Sequence, residues 1–313
     1  MGKSGEEKRA PEIVARWGRG VSMRPASRIS RWLLAALLFI GTAWGGALGS
    51  NRVLVAASIA PLADFVRQVG GSRVEVNTLV PPGASPHTYE LKPSQVKQVS
   101  RARLLVLNGA GLEYWAEKLV RAAGNPALEI VDTSRGVPLL DAGARGANPH
   151  IWLDVRQAMS QVKHIGEALV RADPGHAREY RANAARYLAT LEGLDREIEA
   201  EVNTWKRRQF IAFHPAWVYF ARRYGLEQVA VIERSPGHEP SPKELAQIVE
   251  TARRIGARAI FAEPQLSPKA AEAIARESGA RVLFLDPLGS SLPDQTYFGM
   301  MRHNVAQMAA ALR

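Results

Sequence analysis

The chain has 313 residues, 46% of them hydrophobic, which suits two lobes of ordinary domain size and excludes a disordered or fibrous protein. Of the formal charge of +11, five belong to the first 50 residues, and the remaining +6 is scattered along stretches such as Arg253 to Arg258 without aromatic interleaving, unlike a nucleic-acid-binding stripe. There is no cysteine, so disulfides, a thiolate metal site and lipid attachment through Cys are all excluded.

At the N-terminus, Arg24, Arg28 and Arg31 precede an apolar run from Trp32 to Trp44, and the small residues of Gly45 to Ser50 follow. That is the layout of a cleaved secretory signal, and the run is shorter than the roughly 20 residues that span a bilayer. The polar, mixed-charge stretch before Met23 is a poor beginning for such a signal, which makes Met23 a candidate start. Residues 1–50 are therefore expected to be an extension and signal peptide, and the mature protein a soluble one in a Gram-negative periplasm. A retained N-terminal membrane anchor is the other reading.

From Arg52 onward, short β-branched or leucine-rich runs alternate with amphipathic stretches, the pattern of mostly parallel α/β sheets. The first set of strands is expected at Val53 to Ala57, Val74 to Val80, Leu104 to Asn108 and Leu128 to Asp132. Between the sets, Asp173 is placed to cap a helix with Pro174 in its first turn. Tyr180, Ala184, Tyr187, Leu191, Leu194, Ile198, Val202 and Trp205 then recur every three or four residues, one apolar stripe for both lobes. A helix of some 30 residues spans roughly 45 Å and is far stiffer than a Gly/Ser linker. The second set of strands is expected at Phe210 to His214, Val229 to Glu233, Ala259 to Glu263 and Val282 to Asp286. The expected fold is α/β: two similar lobes, each with a mostly parallel four-stranded sheet, at 51–172 and 206–313, joined by one long rigid helix at 173–205.

Metal-binding residue types gather at the C-terminal ends of these strands, where open α/β sheets place their ligands. His87 follows the second strand in PPGASPHTYE, His150 stands in NPHIWLD after the fourth, His214 ends FIAFH and Asp286 ends VLFLD. Three neutral imidazoles and a carboxylate suit tetrahedral zinc. One histidine alone is more often structural or exposed; the shared location carries the argument. About 60 to 70 residues separate successive candidates, unlike a zinc finger or an HExxH helix, so the fold must assemble the site from both lobes. Glu263 also ends a strand and competes with Asp286 and water for the fourth place, or stands behind the ligands. His238 reads as a structural or exposed loop residue, and His164, His176 and His303 as helix-surface residues. Asp154 suits the N-cap of the following helix better than a role in orienting His150. Trp152, Trp217 and Tyr219 flank the ligands and serve either as a dry wall around an ion or as ordinary core.

The segments SIAPLADFVRQVGG, PPGASPHTYELKPS, LNGAGLEYW, PHIWLD, DPGHAREYRANAARYL, AFHPAWVYFARRYGL, GHEPSP, AEPQLSP and LDPLG, in that order from Arg52 to the end, resemble the zinc and manganese solute-binding proteins of ABC importers, the ZnuA-like family. The resemblance implies two lobes on a rigid backbone helix, with metal held in the cleft by His87, His150, His214 and Asp286. Manganese- and iron-preferring relatives typically carry a carboxylate at the third position; His214 stands there in this chain, and a nitrogen-rich site favours zinc. Zinc-specific relatives commonly have a histidine-rich loop after the first lobe's last strand, whereas PLLDAGARGANPH has no histidine before His150.

The function expected is a non-enzymatic, monomeric periplasmic receptor. It captures Zn²⁺ as cargo and delivers it to an inner-membrane ABC permease with its cytoplasmic ATPase, with no nucleic-acid partner. The same receptor for Mn²⁺, Fe²⁺ or another divalent ion is one alternative. A zinc hydrolase with Glu263 or Glu90 as base is a more distant one.

Overall fold

Apolar runs such as Leu104–Leu107 and Ala259–Ala262 form strands buried throughout, whereas Val74–Thr78 and Glu227–Val231 at sheet edges mix in polar residues, and the described residues hold eight strands in two sheets. The computed structural model describes residues 52–140, 146–234, 237 and 239–313. Strands β1 (Val53–Ala57), β2 (Val74–Thr78), β3 (Leu104–Leu107) and β4 (Glu129–Asp132) form a parallel sheet in the order β2-β1-β3-β4. Strands β5 (Gln209–Ala212), β6 (Glu227–Val231), β7 (Ala259–Ala262) and β8 (Arg281–Phe284) repeat that order as β6-β5-β7-β8. The expected signal segment, Met23 included, and His238 lie outside the described residues.

Each sheet divides its side chains by the period of two that a pleated strand imposes. Phe210 and Ala212 of β5 and Ala259 and Phe261 of β7 join the main core. The alternate residues Ile211, Ile260 and Ala262 join a smaller core under helices α7 (Pro242–Ile255) and α8 (Lys269–Ser278). The main core runs on without a break into the first sheet and its helices α1 (Ala60–Gly70) and α4 (Val155–Ala172). The short helices α2 (Pro93–Val99), α3 (Ala116–Ala123) and α6 (Val218–Tyr224) complete the layers.

The long element begins as a 3-10 turn at Pro174–His176 and continues as helix α5 (Ala177–Asn203), 27 residues and about 40 Å long. Asp173 does not cap free backbone amides with its side chain; its Oδ2 accepts from His176 Nδ1 and from the Tyr180 hydroxyl, each at 2.7 Å. The turn satisfies its own amide, since the His176 N–H donates to the Asp173 carbonyl, and this leaves the carboxylate for those side chains. Tyr180, Tyr187, Leu191, Leu194, Ile198 and Val202 are buried as their spacing predicts, and Trp205 is buried just beyond the helix.

One residue on that buried stripe is charged. Asp195 accepts from Arg156 Nε of α4 (2.7 Å) and, on the other half, from Arg223 (2.6 and 3.0 Å) and the Tyr224 hydroxyl (3.0 Å). Burial alone would raise its carboxyl; the bonds from Arg223, Tyr224 and Arg156 together with the Arg223 charge outweigh that and hold it below the usual range. A second tie joins Asp64 of α1 to the backbone N–H of Tyr297 (2.9 Å), at the start of helix α9 (Tyr297–Leu312). Tyr297 in turn donates its hydroxyl to the Trp152 carbonyl at 2.7 Å, and the Trp152 indole donates to the Pro287 carbonyl at 2.7 Å. The two halves are thus fastened at α5 itself and again through Asp64, Trp152 and Tyr297. Removing the carboxylate would leave the part-buried Arg223, the Tyr224 hydroxyl and the half-exposed Arg156 without their shared acceptor. Asp195→Ala is expected to cost about 3 kcal/mol, read as a shift in the chemical-denaturation midpoint with unchanged slope; a cost under about 1 kcal/mol, the range of an exposed pair, would contradict this role.

Candidate metal centre

Each histidine of the site stands in a loop or turn held by hydrogen bonds to an ordered element. The loop carrying His87 leaves β2 through Leu79 and Val80, whose amides still donate to the carbonyls of Ala57 and Ser58 (2.8 and 3.0 Å). It is held again at Tyr89, whose carbonyl accepts from the Tyr114 hydroxyl at 2.8 Å. His150 opens the 3-10 turn Ile151–Leu153 in front of α4, and the preceding carbonyl, that of Pro149, accepts from Asn108 Nδ2 at 2.8 Å. Asp154 caps α4 by accepting from the Arg156 N–H at 2.8 Å, as its position predicts, and makes no bond to His150. His214 lies two residues past β5, where its carbonyl accepts from Gln228 Nε2 at 3.0 Å.

The fold brings these three together. His150 Nε2 lies 3.0 Å from His87 Nε2 and 3.0 Å from His214 Nε2, and the three ligand atoms all fall within 4.8 Å of one another. His150 and His214 are 3% and 4% exposed, and His87 is half-buried on the open side. The space they line, with Trp152, Glu263, Gln265 and Leu288, has a volume of about 20 Å³, room for one ion or water and too little for an organic molecule.

Hydrogen bonds behind the rings decide which nitrogen faces inward. Asn148 donates its amide N–H to the Pro215 carbonyl at 2.7 Å, so its Oδ1 is the atom turned toward His150. That oxygen can only accept, at 2.9 Å from His150 Nδ1, which therefore carries the proton and leaves a lone pair on Nε2. Glu263 Oε1 accepts from His214 Nδ1 at 2.6 Å, the carboxylate–histidine arrangement that orients a metal ligand. Burial, followed by the charge of His214, pushes His87 down to about 3. Burial, followed by the charges of His214 and His87, pushes His150 well below the ordinary imidazole value. Two nitrogens on one tetrahedral zinc lie about 3.3 Å apart, close to the spacing found.

Asp286 is not drawn into the group of three. It lies two residues past β8, 1% exposed, in a turn where its Oδ1 accepts from the amides of Leu288 and Gly289 (3.0 Å each) and from Gln265 Nε2 (2.7 Å). Gly289 has φ 64°, and a Cβ there would strike Met300, so the turn requires glycine. The other oxygen, Oδ2, is buried without a hydrogen-bond partner. Trp152 lines the site with its ring centroid 5.3 Å from that of His150. Tyr219 instead donates to the Asn148 carbonyl at 2.7 Å, and Trp217 is core. His164 and His176 are half-buried, each with a ring nitrogen paired to an oxygen, the Thr133 carbonyl and Asp173 respectively. Asn148 and Gln265 are the site residues that sequence reasoning missed; the one signal was an asparagine two positions before a candidate ligand, in NPH.

The chain matches, over residues 55–311, the family described as zinc-uptake complex component A, periplasmic. It is 31% identical over 265 residues to the manganese-binding lipoprotein MntA of Halalkalibacterium halodurans, covering 82% of this chain and 88% of that one. It is 27% identical over 281 residues to the high-affinity zinc uptake system protein ZnuA of Bacillus subtilis, covering 84% and 88%. A crystal structure of ZnuA superposes with a TM-score of 0.78 at 38% identity, over 83% of this chain and 99% of that one.

The depressed histidines make a prediction for the metal-free protein. Below about pH 6.5 the unfolded chain protonates these rings, whereas the folded site refuses a proton on His87 down to about pH 3, so stability falls as pH descends through that window. Each ring so held contributes about 1 kcal/mol to the loss between pH 6.5 and 5.5. Denaturant unfolding in the presence of a chelator measures the loss, and His87→Gln is expected to lessen it by that amount; an identical pH dependence in the variant would contradict the assignment.

Proposed function

From the premise that the chain belongs to the periplasmic zinc-uptake component A family, we propose that it is a receptor that captures one zinc ion and surrenders it to a membrane permease. The observation that carries this reading is the convergence of the His87, His150 and His214 Nε2 atoms, with partners behind two of the rings to hold protons on their outer nitrogens. Deprotonated imidazoles around a space for one ion are a cargo site for a borderline metal. The two lobes, 51–172 and 206–313, would hold that cargo between them on either side of the helical segment 173–205.

Zinc is the favoured cargo because all three gathered donors are nitrogens, and manganese prefers oxygen. Asp286 is the fourth donor in this reading, through the buried Oδ2 that has no other partner, while its Oδ1 stays bonded to Gln265, Leu288 and Gly289. Glu263 orients His214 and does not itself bind the ion. The small volume of the site favours a receptor over a hydrolase, since a substrate would need to stand beside the metal. Export through the N-terminal segment, a periplasmic monomer, and an ABC permease with its cytoplasmic ATPase as partners complete the proposal.

Competition calorimetry on the metal-free protein tests it. Zinc is expected to bind tightly in a one-to-one ratio and to displace manganese at neutral pH; tighter binding of manganese would transfer the receptor to the cargo named for its MntA relative. His214→Ala is expected to weaken zinc binding by on the order of 100-fold or more, since losing even an outer partner of a ligand costs 10–100-fold. Asp286→Ala should cost less than that, and unchanged affinity in His214→Ala would mean that the metal binds elsewhere. Ester or phosphoester hydrolysis abolished by EDTA would overturn the receptor reading altogether.

A further inference from the structure

Asn148 is 4% exposed and all its polar groups are engaged. Its N–H donates to the Leu140 carbonyl (2.8 Å), and its carbonyl accepts from the Tyr219 hydroxyl (2.7 Å). Its Oδ1 accepts from both the backbone N–H (3.0 Å) and Nδ1 (2.9 Å) of His150, and its Nδ2 donates to the Pro215 carbonyl (2.7 Å). Leu140 and His150 belong to the segment between β4 and α4, whereas Pro215 and Tyr219 follow β5. One amide therefore touches a metal-site histidine of the first half and the residue next to a metal-site histidine of the second.

We propose that Asn148 is a positioning residue through which metal retention depends on contact between the two halves. While Nδ2 is held by Pro215, Oδ1 must face His150, the ring keeps its proton on Nδ1, and the Nε2 lone pair points at the metal. When the second half draws back, the amide is free to turn. With Nδ2 facing the ring, the proton moves to Nε2 and His150 loses its aim at the ion. Separation of the halves thus weakens a ligand by itself, without any contact between permease and metal. Glu263 builds no such dependence into His214, because a carboxylate accepts with either oxygen. The inference rests on the reading of the three histidines as ligands.

Zinc affinity by chelator competition, zinc release by stopped-flow capture, and ¹⁵N NMR of the His150 ring test it on the full chain. Asn148→Ala is expected to lower affinity 10–100-fold, the range for losing a residue behind a ligand, to speed release, and to give mixed His150 tautomers in the metal-free protein. Asn148→Asp supplies an acceptor whichever oxygen faces the ring, so it is expected to keep the Nδ1–H tautomer and to release zinc more slowly than Asn148→Ala. Tyr219→Phe, which frees the backbone carbonyl of Asn148 and the Leu140 N–H but touches no bond of the Asn148 side chain, should leave the His150 tautomer unchanged. Affinity and release of Asn148→Ala indistinguishable from wild type would overturn the proposal while His150→Ala still abolishes tight binding. Wild-type affinity in His150→Ala would instead sink the ligand reading beneath it. Should the alanine variant fail to fold, mixed His150 tautomers in the near-isosteric Asn148→Asp would be equally fatal.

Discussion

Lone pairs on imidazole nitrogens 3.0 Å apart in a buried space repel one another unless a proton or a metal ion stands between them, and much of the surrounding structure keeps them from relaxing apart. Asn148 and Glu263 hold ring protons on the outward nitrogens of His150 and His214, and Asn108 grips the carbonyl before His150. Burial and mutual repulsion then keep His87 and His150 from taking up protons. Nitrogens denied protons in this way are free for a metal ion, which supplies the missing charge from outside.

That arrangement also demands stiffness, since a drift of about 1 Å would spoil the coordination. The main core runs unbroken from the first sheet across α5 to the inner face of the second. Asp195 binds α4 to the α6 region, and Asp64 binds α1 to α9. The Trp152 and Tyr297 bonds lie closest to the metal site of these ties and join the segment after His150 to residues beyond β7 and β8. Opening the cleft must strain some of them, which favours small excursions over a wide hinge.

The central strands of both sheets were legible in the sequence because buried parallel strands are continuous apolar runs, and several expected runs extended slightly past the ordered strands. His214, Glu263 and Asp286 consequently lie one or two residues beyond their strands, in the turns that aim them. Three of the ligand candidates were visible from their common position at strand ends, strengthened by the family resemblance. Asp286 shares that position, and the bonds from the amides of Leu288 and Gly289 to its Oδ1 belong to a backbone turn that leaves little trace in residue types. Asn148 was not legible because its partner, Pro215, is 67 residues away and meets it only when the halves are assembled. Asp195 could be seen only as an interruption of an apolar stripe; its arginines, 39 and 28 residues distant, give it meaning.

The central claim is that a single ion sits among three imidazole Nε2 atoms, and X-ray absorption spectroscopy of the zinc-loaded protein addresses it most directly. The account predicts a four-coordinate centre with three imidazole nitrogens at about 2.0–2.1 Å, their outer-ring scattering visible, and one oxygen. A six-coordinate shell of oxygens, or a centre with fewer than three imidazoles, would contradict it.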